Sequence, residues 1–162
     1  DLDGLTDAKS GGTNFTSSLF LGHQTTGTLN GATYNTAVGY AALDAVTSAN
    51  STTAIGAGAG SAITSGGDNT IVGKDALDSN ETGTRNTAIG NNALGVNTVS
   101  DNTVIGFAAL DASTDGTQNV AIGSQAMSTS TSDDGAVVIG YYAGQKNGWS
   151  NTYNYCWCRC CL

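Results

Sequence analysis

Hydrophobic residues in this chain fall in a fixed order around a recurring glycine. Gly22, Gly39, Gly56, Gly73, Gly90, Gly106, Gly123 and Gly140 follow one another at intervals of 17, 17, 17, 17, 16, 17 and 17 residues. The residue before each is aliphatic: Leu21, Val38, Ile55, Val72, Ile89, Ile105, Ile122 and Ile139. Two before stand Phe20, Ala37, Ala54, Ile71, Ala88, Val104, Ala121 and Val138; three before, Thr36, Thr53, Thr70, Thr87 and Thr103 dominate. Four before, Asn recurs as Asn35, Asn69, Asn86, Asn102 and Asn119. Three after comes Ala in seven units, and four after comes Leu43, Leu77, Leu94, Leu110 or Met127, with Gly60 and Gly144 as exceptions. The unit is Asn-Thr-Ala-Ile-Gly-x-x-Ala-Leu followed by a polar stretch such as Thr64-Ser65-Gly66-Gly67-Asp68.

The β-branched run predicts a short strand, the glycine a tight turn or close approach, and the polar stretch a loop. A unit this short cannot enclose a core alone, so the units must stack as coils of a solenoid. The expected fold is therefore all-β: a repeat β-solenoid of about eight 17-residue coils, roughly 38 Å long at ~4.8 Å per coil. In such a stack the Ile/Val column becomes an apolar spine and the Asn column an amide ladder. Positions −1 and −2 are both apolar and point to opposite faces. One face fills the coil, the other needs a cover, and no helix is predicted to supply it, so the chain is expected to self-associate. The domain plan is a connector or cap over 1–18, the roll over 19–148 and an atypical tail over 149–162. A disordered linker would not keep an aliphatic column in register.

Composition removes most other classes. With 23 Gly, no Pro, 13 acidic and 5 basic residues, the net charge is −8. Collagen is excluded, as is a helical bundle, and large aliphatics are too sparse for a large mixed enzyme core. The acidic balance disfavours nucleic acid, no apolar stretch is long enough for membrane insertion, and Asp1-Leu2-Asp3-Gly4 shows no secretion signal. A hexapeptide helix and the calcium-binding nonapeptide repeat do not fit the spacing.

No residue set predicts catalysis, a cofactor or a metal site. His23 is the single histidine and falls in the variable column after the glycine. Gly73-Lys74-Asp75 lacks the first glycine of a phosphate loop, since Asp68 stands there. Asp1-x-Asp3-Gly4 is too short for a calcium loop. The sequons at Asn14, Asn50 and Asn80 are expected by chance in such a composition. Tyr40, Phe107, Tyr141 and Tyr142 are candidate receptor contacts, able to stack on sugar rings if they face outward, and packing residues if they do not. All four cysteines lie in Cys156-Trp157-Cys158-Arg159-Cys160-Cys161. That spacing fits neither zinc pairs nor a distributed disulfide framework. A soft-metal clamp, an interchain staple and an out-of-frame ninth repeat are the readings: Tyr153 to Cys161, read one base later, can encode a run resembling Ala54 to Ala62.

Asn35-Thr36-Ala37-Val38-Gly39, Asn86-Thr87-Ala88-Ile89-Gly90 and Asn119-Val120-Ala121-Ile122-Gly123 resemble the Asn-Ser-Val-Ala-Ile-Gly head repeats of trimeric autotransporter adhesins. Similar runs, with Ala-Leu after the glycine, occur in tail-fibre proteins of marine bacteriophages, and Leu5 to Phe15 resembles their lead-in. The likeness spans about 19–148, though the period of 17 is longer than is typical of adhesin heads. It implies a left-handed parallel β-roll, a homotrimer, and a role in host attachment: a virion tail fibre whose loops bind a cell-surface glycan or protein receptor, or alternatively an adhesin head on a bacterial cell surface. A monomeric lattice- or ice-binding solenoid ranks lower, because the Thr column lies in a strand assigned to burial.

Overall fold

The computed structural model of the chain describes residues 8–10, 18–22, 30–95, 99–145 and 155–157. Each unit contributes one three-residue strand ending just before its glycine: β2 (Leu19–Leu21), β3 (Thr36–Val38), β4 (Thr53–Ile55), β5 (Thr70–Val72), β6 (Thr87–Ile89), β7 (Thr103–Ile105), β8 (Val120–Ile122) and β9 (Val137–Ile139). These eight pair in sequence order, all parallel. Eight units thus supply eight strands joined by about seven turns of coil, a parallel stack about 34 Å long at ~4.8 Å per step. At its ends β1 (Ala8–Ser10) pairs antiparallel with β2, and β10 (Tyr155–Trp157) pairs antiparallel with β9. Tyr155–Trp157 therefore close the sheet instead of extending the parallel ladder.

The register is the one the glycine spacing predicts. Thr36, Thr53, Thr70, Thr87 and Thr103 are mutual partners, as are Val38, Ile55, Val72, Ile89 and Ile105. The 16-residue unit keeps this register, with Ile89 opposite Ile105, so its deletion is absorbed in the loop.

Side chains at −2 point inward and are fully or nearly fully buried, from Phe20 to Val138. They meet the Ala column (Ala42 to Ala143) and the Leu/Met column, both buried. A further inward column lies seven residues after the glycine, where Val46, Ile63, Asn80, Ser113 and Ser130 are all buried. Its change from aliphatic to polar residues along the stack hides it from a hydrophobicity pattern. Ser113 Oγ, fully buried, has no hydrogen-bond partner.

The turn after each strand is built from left-handed residues. At +2 these are Ala41, Gly58, Asp75, Asn92, Ala108, Gln125 and Tyr142; at +4 they are Leu43, Gly60, Leu77, Leu94, Leu110, Met127 and Gly144. This geometry costs an L residue roughly 1 kcal/mol. Bonds between coils hold it in place. The +2 amides donate backward, as Gln125 N–H does to the Phe107 carbonyl at 2.7 Å, and the +4 amides donate forward, as Leu110 N–H does to Ala126 at 2.8 Å. Gly60 and Gly144, exceptions in the Leu column, therefore share its backbone. Ile71 and Ile63 fill the space beside Gly60, and Val138 that beside Gly144.

Candidate functional site

Alternation along each strand turns −3 and −1 outward while −2 fills the core. The −1 column is half-buried or exposed along its length, reaching 51% exposure at Ile139. The Thr column shares that face: Thr36, Thr53, Thr87 and Thr103 are half-buried and Thr70 is exposed. This corrects the expectation that the Thr column is buried; the same two-residue period that buries Ala37 and Ile71 directs their Thr neighbours outward. The result is a strip two residues wide and eight strands long. Leu19, five threonines, Val120 and Val137 form one column, and Leu21 through Ile139 the other. No charged side chain lies in either column, although the chain carries 13 acidic residues.

Charges stand beside this strip. On the −5 side, Asp101 accepts from Arg85 through both carboxylate oxygens, at 2.6 and 2.8 Å, and this bond holds its carboxyl below the usual range. Asp134 is also lowered, by the amide and hydroxyl of Thr117. Five residues after the glycine, Asp78 and Asp111 are both raised, chiefly by burial, with Asp75 adding to the effect on Asp78. A folded carboxyl raised above its ordinary value near 3.8 destabilises the fold as pH climbs through that raised value. The lowered pair acts oppositely, losing its contribution only as pH falls below about 3.8. Melting temperature should thus be level near neutrality, rise as pH falls through the raised Asp78 and Asp111 values toward about 4, and fall below that. In an Asp78→Asn/Asp111→Asn variant the rise should be lost.

On the opposite side of the strip, one residue after the glycine, the candidate contacts Tyr40, Phe107 and Tyr141 stand 69%, 54% and 63% exposed. They share one column, held in register by backbone bonds such as Gly58 N–H to the Tyr40 carbonyl at 2.8 Å. Tyr142 is not in that column. It is half-buried at +2, with its ring edge against Tyr141 at 4.4 Å between centroids. Loss of hydration and the Tyr142 hydroxyl push the Tyr141 hydroxyl up. Lys74 follows the repeat glycine Gly73 and pairs with Asp75, which accounts for the apparent phosphate-loop fragment. Asn80 is buried and bonded to Val99 and Gly83, so that sequon is not an open acceptor. His23, Asn14 and Cys158, Cys160 and Cys161 lie outside the described residues.

The scaffold beneath the strip is fixed by the −4 column. Ser18, Asn35, Thr52, Asn69, Asn86, Asn102 and Asn119 are all buried. Each side-chain oxygen accepts the backbone N–H of its successor one coil on, ending at the Ala136 amide. The Asn Nδ2 groups donate sideways to loop carbonyls: Asn35 to Ala49, Asn69 to Gly83, Asn86 to Val99, Asn102 to Gly116 and Asn119 to Asp133. The expected amide ladder is therefore chiefly a side-chain-to-backbone ladder. The ladder starts at Ser18, whose Oγ accepts the Asn35 N–H, and ends at Ala136, whose N–H donates to Asn119 Oδ1.

Among the described residues no three metal-ligating side chains converge, and no helix is long and apolar enough to cross a membrane. Comparison of the chain with models of protein families, with curated proteins and with solved structures finds no match. The functional reading therefore rests on the geometry of the strip and its borders.

Proposed function

We propose that this chain is a segment of a bacteriophage tail fibre, a virion attachment protein in which three copies pack their outward strips together and carry their loops toward a host receptor. The observation that carries the reading is the uncharged strip from Leu21 to Ile139, continuous over eight parallel strands of a chain with net charge −8. Leaving a contiguous Ile/Val column in water forgoes about 25 cal/mol per Å² of coverable apolar surface. Its regular spacing also suits a partner of the same spacing, and another copy of the chain has it. A rigid multivalent rod turns weak individual contacts into firm attachment. An adhesin head on a bacterial surface would use the same assembly; a membrane anchor encoded in the full gene favours it, and neighbouring virion genes favour the fibre.

Light scattering on the chain should give about three times the 16.2 kDa protomer mass, and Ile105→Asp, which places a charge in the strip, should reduce it to one. A wild-type monomer overturns the reading. The outward Thr column then favours a second one, in which the uncharged Thr/Ile grid binds a regular lattice such as ice, tested by inhibition of crystal growth.

A further inference from the structure

From Gly39 to Gly140 the column one residue after the glycine alternates in size from coil to coil. Coils marked by Gly39, Gly73, Gly106 and Gly140 present Tyr40, Lys74, Phe107 and Tyr141; the coils between them present Ala57, Asn91 and Ser124. Crowding does not impose this, because identical large side chains stack at one strand spacing elsewhere. All three rings therefore share one two-coil phase. Phe107 and Tyr141 are two coils apart, about 10 Å, and Tyr40 lies four coils from Phe107, about 19 Å. The rings are exposed, while the register of their backbone is fixed by the inter-coil bonds of the +1 and +2 residues.

We infer that this column binds an extended β-1,4-linked polysaccharide lying parallel to the coil stack, with every second sugar seated on an in-phase side chain, a ring at three of the four places. In such a chain each sugar is turned over relative to the last, so the same face returns once per disaccharide, a length close to two coils. A flat aromatic face suits the apolar face of a pyranose. Lys74 occupies the remaining in-phase place, where its ammonium and the Asp75 carboxylate supply a donor and an acceptor for hydroxyls. Ala57, Asn91 and Ser124 leave room for the intervening sugars. The inference rests on the attachment reading and names the class of receptor.

Calorimetric titration of the full chain with cellohexaose and chitohexaose tests it, with maltohexaose, whose α-1,4 linkage coils the chain, as the control. The β-1,4 hexamers should bind and maltohexaose should not, with affinity rising from disaccharide to tetramer to hexamer. Phe107→Ala and Tyr141→Ala should each weaken hexamer binding about three- to tenfold without lowering the melting temperature. Adding Ser124→Phe to Phe107→Ala restores a ring one coil out of phase, and binding should not recover. Recovery in that variant, equal binding of maltohexaose, or no binding of either β-1,4 hexamer overturns the inference. If the chain ignores these hexamers yet adheres to other bacterial surface polysaccharides, this inference fails and the attachment reading stands. If Phe107→Ala or Tyr141→Ala instead changes the mass by light scattering, the rings belong to a subunit interface and the inference fails.

Discussion

Gly73→Ala should abolish cooperative folding of the stack, whereas Gly22→Ala should cost only about 1 kcal/mol. The two glycines hold equivalent places in the sequence repeat but not in the structure. At Gly73 a Cβ would sit 2.6 Å from the Gly90 carbonyl carbon and 3.1 Å from the Asn91 nitrogen, and nearer still to the Gly90 carbonyl oxygen. All three obstacles are backbone, and the backbone there is pinned by the Gly90 N–H bond to the Val72 carbonyl at 2.8 Å. No rotamer change relieves the clash; the coils would have to part. Gly73 also holds φ at +142°, which L side chains rarely adopt. Around Gly22 the nearest atom to an added Cβ is at 3.4 Å, so only its left-handed φ of +74° resists substitution. A loss above about 4 kcal/mol is expected at Gly73. Because stability in a stack resides in neighbour contacts, the damage should separate the coils before and after the substitution. Thermal unfolding by circular dichroism should show a lowered, broadened or two-step transition. A Gly73→Ala protein that melts within a few degrees of the parent would refute the close-approach account.

That difference marks how far the sequence could be read. Spacing of Gly39 through Gly140 was enough to give the strand positions, the parallel register and the number of units, because stacking in register is the arrangement that lets 17-residue units share a core. Inward and outward faces were half legible. Alternation separates −1 from −2, yet it also sends −3 outward, and assigning the whole strand to burial hid the Thr column's place on the strip. The inward column through Val46 and Ile63 was obscured because Asn80, Ser113 and Ser130 continue it with polar side chains. The left-handed turns were illegible, since Leu, Ala and Asp together occupy them more often than Gly; bonds between coils hold a conformation that those residues' own preferences oppose. The aromatics were visible as candidates, but their common phase emerges only once the coils are counted in space.

Asn86→Ala should destabilise the protein by about 2–4 kcal/mol, and Thr52→Asn should stabilise it by about 1 kcal/mol. Asn86 is bonded on every side. Its N–H donates to Asn69 Oδ1 at 2.9 Å, its own Oδ1 accepts the Asn102 N–H at 3.1 Å, and its Nδ2 donates to the Val99 carbonyl at 2.9 Å and to Asn69 Oδ1 at 3.2 Å. Alanine removes the acceptor for a buried backbone donor, removes the bond that ties the loop to the strand, and leaves a void where the amide stood. Asp at this position is a sharper test. It keeps the acceptor but loses the Nδ2 donors, and it places a charge at a buried site, so its pKa must rise. Asn86→Asp should therefore be far less stable at pH 7 than at pH 4, more so than the parent. Thr52 is the weak member of the ladder. Its Oγ1 accepts the Asn69 N–H at a long 3.4 Å and donates only locally, to the Asn50 carbonyl at 3.3 Å, so it makes no bond like those of the Asn Nδ2 groups to the next coil's loop. Asn there would shorten that bond and donate to the loop carbonyl of Gly66, the place equivalent to Ala49 and Gly83 in the neighbouring coils. Chemical denaturation of the three variants separates the contributions. If Thr52→Asn fails to raise the midpoint while Asn86→Ala lowers it, the ladder's value lies in filling space, and the sideways bonds to the loops add nothing.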